Sequence, residues 1–242
     1  MTEKLYWKDS YMTKFEATVI DHNEKGILLD KTAFYPTGGG QLNDIGEITY
    51  ADKKINILDV KKEKDSENIF HIPQQGAVIE KGTKITGSID WERRYSLMKY
   101  HTFFHVLDAI IYKEYSGKIT GGIIYPDRSH IDFDLPSLNR ETAEKIIQRT
   151  NLENKKAYEV KSYFITREEA EKMPDLVRTM PGLSILKSLE NIRIVEICGL
   201  DAQIDGGTHV RNTNEIGDMV LSGFKNLGSH RKRIEVKLIS KL

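Results

Sequence analysis

The sequence has almost no sulfur chemistry to work with: one cysteine, Cys198, in 242 residues. A lone thiol excludes an internal disulfide framework and fits a reducing, cytoplasmic setting. Net charge is also missing, because 36 Lys and Arg balance 36 Asp and Glu. That balance excludes a binder that holds nucleic acid by bulk attraction, so any such contact must come from a local patch. No window approaches the roughly 18 consecutive apolar residues of a membrane helix, and no membrane partner is expected. The opening run MTEKLYWKDSYMTKFEA is charged throughout and lacks the apolar stretch of a secretory signal. There is no repeat, no low-complexity tract and no Pro- or Ser-rich linker. What remains is 39% hydrophobic and 30% charged, an ordinary globular composition. The length suits one large domain or two modest ones with a real core.

Short apolar segments dominate up to Ile89. Phe15–Ile20, Ile27–Leu29, Ile55–Val60, Ile69–Ile72 and Thr83–Ile89 read as strands, with turn formers at Asp21–Gly26, Gly76 and Gly82. The lysine-rich run Val60–Asp65 reads as a solvated hairpin tip. Residues 1–89 are therefore expected to form a small all-β barrel or sandwich. From Asp90 the pattern changes: Leu97, Tyr100, Phe103, Phe104, Leu107, Ile110 and Ile111 recur at helical spacing as far as Tyr115. Asp90 is the expected N-cap, with Glu92 at the positive end of the helix dipole. Strands within Ile119–Phe133 precede a helix from its expected cap Ser137 to Leu152. Then come a strand at Glu159–Ile165, a helical turn at Arg167–Lys172, and strands at Ile192–Ile197, Glu215–Ser222 and Arg233–Ile239. A long helix on a sheet of mixed order makes residues 90–242 α+β.

His101 and His105 are four apart on that helix, so both imidazoles leave one face about a turn apart. This spacing suits two ligands to one zinc ion, or two histidines on the polar edge of a buried helix. The segment Cys198–Val210 adds Asp205 and His209, separated by the tight-turn sequence Gly206-Gly207-Thr208. Two His from a helix with His and Asp from a loop complete a tetrahedral zinc set, with Cys198 the competing thiolate or a plain buried strand-end residue. Gly38-Gly39-Gly40-Gln41 fits neither a P-loop nor a dinucleotide fingerprint. Its simplest reading is a flexible hairpin loop. Basic residues cluster at Arg93, Arg94 and Lys99, and again at Arg231-Lys232-Arg233, either as solvated turns or as phosphate contacts.

Three ordered blocks carry a resemblance. They are Phe34-Tyr-Pro-Thr-Gly-Gly-Gly-Gln41 with Asp44-Ile-Gly46; Asp90-Trp-Glu-Arg-Arg-Tyr-Ser-Leu-Met-Lys-Tyr-His101 running on to His105; and Asp205-Gly-Gly-Thr-His209-Val with Glu215-Ile-Gly217. Together they resemble the alanyl-tRNA editing family, which comprises the editing domain of alanyl-tRNA synthetase and the free-standing AlaX proteins. The resemblance implies an α+β editing domain at 90–242 behind a translation-factor-like β-barrel at 1–89, as in the longer AlaX type. It implies one Zn2+ per chain and hydrolysis, in trans, of tRNA(Ala) carrying the wrong amino acid, chiefly Ser-tRNA(Ala) and then Gly-tRNA(Ala). The block Gly38, Gly39, Gly40 and Gln41 would lie against the editing pocket. Gln41 and Thr208 are the candidates for meeting the serine hydroxyl, and Arg178 for lining the pocket. Arg93, Arg94, Arg231, Lys232 and Arg233 would meet acceptor-stem phosphates. No obligate protein partner is evident, and a cytoplasmic location is expected. One departure stands out, since the second motif of the family usually begins with Cys and here begins with Asp205. Four arrangements stay open: Asp205 ligates, Cys198 reaches in, three His share the metal with water, or no metal binds. The competing functions are a zinc-dependent hydrolase of a small ester or amide, and a non-catalytic RNA-binding module with a structural zinc.

Overall fold

A computed structural model describes residues 1–74, 78–178 and 180–239; Gly76 lies outside them. The tertiary contacts divide the chain into two units, Met1–Ser96 and Leu97–Leu242. Among the described residues no helix is long and apolar enough to cross a membrane.

Six strands of the first unit close an antiparallel barrel: β1 (Lys14–Asn23), β2 (Gly26–Leu29), β3 (Gly46–Tyr50), β4 (Lys53–Lys62), β5 (Ile69–Pro73) and β6 (Lys84–Ile89). Their order around the barrel is β1-β2-β5-β4-β3-β6. Closure satisfies every edge, and alternation sends Val19, Ile27, Leu29, Ile48, Ile57, Ile69 and Ile85 inward. In β4 the apolar positions step from Ile55 and Ile57 to Val60, out of period. A bulge between Ile57 and Asp59 restores Val60 to the inner face. Strand β3 was not expected from the sequence; only Ile48 of its five residues is fully buried, so its apolar signal is faint.

A buried ion pair ties the barrel unit together. Arg94 is fully buried, and its Nε donates to Asp44 Oδ1 at 2.9 Å while Nη2 also meets Asp44 Oδ2. Its remaining donors reach Ser10 O at 2.8 Å and Ala33 O at 2.6 Å, and Asp44 accepts the Tyr35 N–H at 2.6 Å. This corrects the expectation that Arg94 meets tRNA phosphate, because its donors are consumed inside the protein.

The second unit takes most of the helix α1 (Trp91–Tyr115), and Asp90 does cap it, accepting the Arg93 N–H at 3.0 Å. Strands β7 (Lys118–Ile124) and β8 (Ser129–Asp134) precede α2 (Arg140–Asn154). The cap of α2 is Asn139, which accepts from Thr142 N at 2.9 Å, and not Ser137. Next come β9 (Val160–Thr166), α3 (Arg167–Glu171), α4 (Met180–Ser188), β10 (Asn191–Ile197), β11 (Asp201–Ile204), β12 (Met219–Asn226) and β13 (Arg231–Leu238). They form two antiparallel sheets, β12-β13-β8-β7 and β9-β10-β11. The strand expected from Glu215 starts only at Met219. Asn212 and Glu215 close a reciprocal cap there that turns Thr213–Glu215 into a short helical turn.

Two stability predictions follow for the barrel unit. Arg94→Met leaves Asp44 charged and unpaired, and should lower unfolding free energy by about 3–5 kcal/mol in urea titrations. His71 is fully buried, donating from Nδ1 to Ile27 O at 3.0 Å and accepting the Thr32 hydroxyl on Nε2 at 2.8 Å. Burial pushes its pKa down to about 4. The unfolded chain then binds the proton first, so stability is full above pH ~6.5 and falls by about 3 kcal/mol as pH drops towards 4. His71→Gln should flatten that part of the pH–stability curve.

Candidate metal centre

Helix periodicity places His101 and His105 on one face of α1, with ring centroids 5.3 Å apart. The other two residues come from the loop after β11. Arg193, buried near the start of β10, donates to Asp205 O at 3.0 Å and to Gly207 O at 3.1 Å, pulling this loop into a tight curl. Inside the curl Gly207 N donates to Asp205 Oδ2 at 2.6 Å. The His209 ring then stands 4.3 Å from that of His101 and 4.8 Å from that of His105. One nitrogen from each histidine and one carboxylate oxygen of Asp205 all lie within 4.8 Å of one another. Thr208, between the ligating positions, is fully buried.

Both ring nitrogens of His209 have close neighbours. Thr102 Oγ1 donates to Met98 O at 2.9 Å, accepts from Val210 N at 3.2 Å and lies 3.1 Å from His209 Nδ1. On the other side of the ring His209 Nε2 lies 3.0 Å from Asp205 Oδ2, and Asp205 Oδ1 lies 3.4 Å from His101 Nε2. Three imidazoles and one carboxylate match the donor set and tetrahedral count of zinc, so the residues present fit the metal.

Electrostatics keep the donors ready. Burial pushes His105 down to about 4 and His209 well below the usual histidine range, with His101 adding to the effect on His209. Burial alone would raise Asp205, but His101 and His209 beside it outweigh that and hold its carboxyl well below the usual range. At neutral pH His105 and His209 are uncharged bases and Asp205 is an anion. Cys198 does not join them: it is half-buried just past the end of β10, whereas Asp205 N bonds back to Arg193 O near the start of that strand. Five residues of extended chain, roughly 16 Å, separate the two levels.

The other expected site residues fall in different places. Gly38 and Gln41 exchange backbone hydrogen bonds of 3.0 and 2.9 Å around Gly39 and Gly40, whose φ values are +57° and +86°. This is the hairpin expected there, a two-residue turn that requires positive φ at both centres. Tyr35 braces it by donating its hydroxyl to Gly38 O at 2.9 Å, and Gln41 is fully buried. Arg178 is not free to line a pocket: its side chain is 7% exposed between Asp108 and Asp201. Arg93 stays half-buried, donating to Asn43 O at 2.9 Å. In the basic cluster the strand begins at Arg231, so alternation exposes Arg231, turns Lys232 inward to 8% exposure, and brings Arg233 onto Asp132 at 2.7 and 3.0 Å. Sequence reasoning missed Thr102, Arg193, Asp108, Asp201 and Gln203. The one signal available was Arg193, a charge set inside the apolar run Ile192–Ile197.

Residues 192–235, which include Asp205 and His209, match the family described as the threonyl and alanyl tRNA synthetase second additional domain. Residues 6–93 match the family of class II (A) tRNA synthetases. An alanyl-tRNA editing protein AlaX-M of Saccharolobus solfataricus is 41% identical over 97% of this chain and 98% of its own. The chain belongs to the alanyl-tRNA editing protein family. A second AlaX-M, from Methanosarcina barkeri, is 36% identical across 99% of this chain and 100% of its own. The alanine–tRNA ligase of Ignicoccus hospitalis is 34% identical over 97% of the chain, which spans only 26% of that protein. The chain therefore matches AlaX-M members of the family end to end and a quarter of the ligase.

The fourth ligand is directly testable. After gel filtration with zinc, Asp205→Ala should lose the metal and Cys198→Ala should keep a full equivalent by elemental analysis. Thr102→Val removes the hydroxyl that holds Val210 N and sits against His209 Nδ1, and should weaken zinc binding about 10- to 100-fold in chelator competition.

Proposed function

We propose that this chain is a zinc-dependent hydrolase that deacylates mischarged tRNA(Ala) in trans, with Ser-tRNA(Ala) the leading substrate and Gly-tRNA(Ala) the second. The observation that carries this reading is the buried centre of His101, His105, Asp205 and His209 in a member of the editing family. In this reading the barrel, residues 1–89, and the editing domain, residues 90–242, are the two functional parts, and the protein works in the cytoplasm.

The reaction is hydrolysis of the ester at the terminal ribose. Water adds to the acyl carbon, the ester bond to the ribose oxygen breaks, and that oxygen leaves with a proton. When bound, zinc supplies Lewis acidity at this centre. The chain's own residues do the rest. His105 and His209, neutral through burial, and Asp205, ionised, present lone pairs inward. The dry surroundings strengthen every electrostatic contact made there. Thr208 carries specificity in this reading. Polar groups matched to the serine hydroxyl would be left unpaired by alanine, which is how a polar site rejects an analogue lacking the group. For tRNA contact, Arg93 and Arg231 are the cations of the original set that remain to act, and two contacts give a shallow salt dependence.

Incubating the protein with Ser-tRNA(Ala) and Ala-tRNA(Ala), with and without a chelator, tests this. Loss of the seryl ester alone, abolished by the chelator and restored by zinc, is the expected outcome. An intact seryl ester with zinc present contradicts it. Cleavage of small esters that free tRNA does not inhibit would favour the small-molecule hydrolase.

A further inference from the structure

The metal donors come from two separate elements, helix α1 and the loop after β11, and something must hold those elements at a fixed spacing. Thr102 does so at one level. A second tie lies deeper. Asp108 follows His105 by three residues on α1, and Asp201 precedes Asp205 by four at the start of β11. Gln203 Nε2 donates to Asp108 Oδ2 and to Asp201 Oδ2, both at 2.8 Å, and so bridges the helix to the strand. Arg178 closes the group, with Nη2 2.6 Å from Asp201 Oδ1 and Nη1 3.4 Å from Asp108 Oδ2. Its guanidinium carbon lies 4.2 Å from the centre of the Tyr112 ring, also on α1.

The group is buried and short of positive charge. The Asp108 and Asp201 side chains are each 1% exposed, and one guanidinium faces two carboxylates. Asp108 Oδ1 and Asp201 Oδ1 are both buried without a hydrogen bond among the described residues, so Arg178 meets Asp201 Oδ1 by charge alone. Arg178 pairs with both carboxylates and Gln203 donates to both, so the two together tie the helix to the strand. We propose that Arg178 is a positioning residue for the metal centre: by clamping Asp108 to Asp201 it sets the distance between the helix that bears His101 and His105 and the loop that bears Asp205 and His209. The proposal rests on the reading of those four residues as metal ligands.

The test is metal binding by the full chain, using zinc in competition with a chromophoric chelator and cobalt(II) alone as an absorbing probe. Wild type, Arg178→Met, Arg178→Lys and Gln203→Ala are compared, and circular dichroism of each metal-free protein checks that it is folded. Arg178→Met should weaken zinc about 10- to 100-fold, the range seen when groups supporting metal ligands are removed. It should also alter the visible cobalt spectrum. Arg178→Lys should recover part of the affinity, because it keeps the charge without the planar fork. Gln203→Ala should weaken zinc in the same direction, and it decides the matter alone if Arg178→Met does not fold. Folded variants with wild-type zinc affinity and an unchanged cobalt spectrum overturn the proposal. Failure of the wild type to bind either metal is a separate result, which overturns the metal reading and this proposal with it.

Discussion

Asp205 Oδ2 lies 3.0 Å from His209 Nε2 and Asp205 Oδ1 3.4 Å from His101 Nε2, so that one carboxylate and three imidazoles converge within 4.8 Å. That donor set and number suit a zinc ion. Much of the second unit serves to maintain this convergence. The long helix supplies two more imidazoles, Arg193 curls the loop, and burial keeps His105 and His209 neutral. A protein with no use for a cation would gain by replacing these residues with apolar ones of similar volume, since unpaired buried polar groups are costly.

The substitution of carboxylate for thiolate at position 205 changes the character of the site. A carboxylate is a harder ligand than the thiolate typical of the family's second motif, and it holds zinc less tightly. Here the carboxylate is oriented by the Gly207 N–H and lies beside two histidines, which compensates in geometry for what is lost in ligand softness. The lone cysteine lies just past the end of β10, outside this cluster.

Periodicity made α1, the barrel and most of the later strands legible in the sequence, and the four donor residues could be named from spacing and resemblance alone. Strand β3 was not legible because Ile48 is its only fully buried position, and helix α4 because it follows a proline-bearing loop. The supporting residues stayed hidden for a different reason. Thr102, Arg193, Gln203 and Asp108 look like ordinary polar residues until the fold brings together positions as far apart as 108 in the chain, as for Thr102 and Val210. Basic residues misled in the opposite sense. Arg94, Arg178 and Arg233 read as free cations, yet each has an acidic partner distant in sequence.

X-ray absorption at the zinc edge of the zinc-loaded protein reads the ligand atoms themselves. A first shell of nitrogen and oxygen alone, at about 2.0–2.1 Å, is the result expected for three histidines with Asp205. A sulfur scatterer near 2.3 Å would place Cys198 on the metal and contradict the assignment of Asp205.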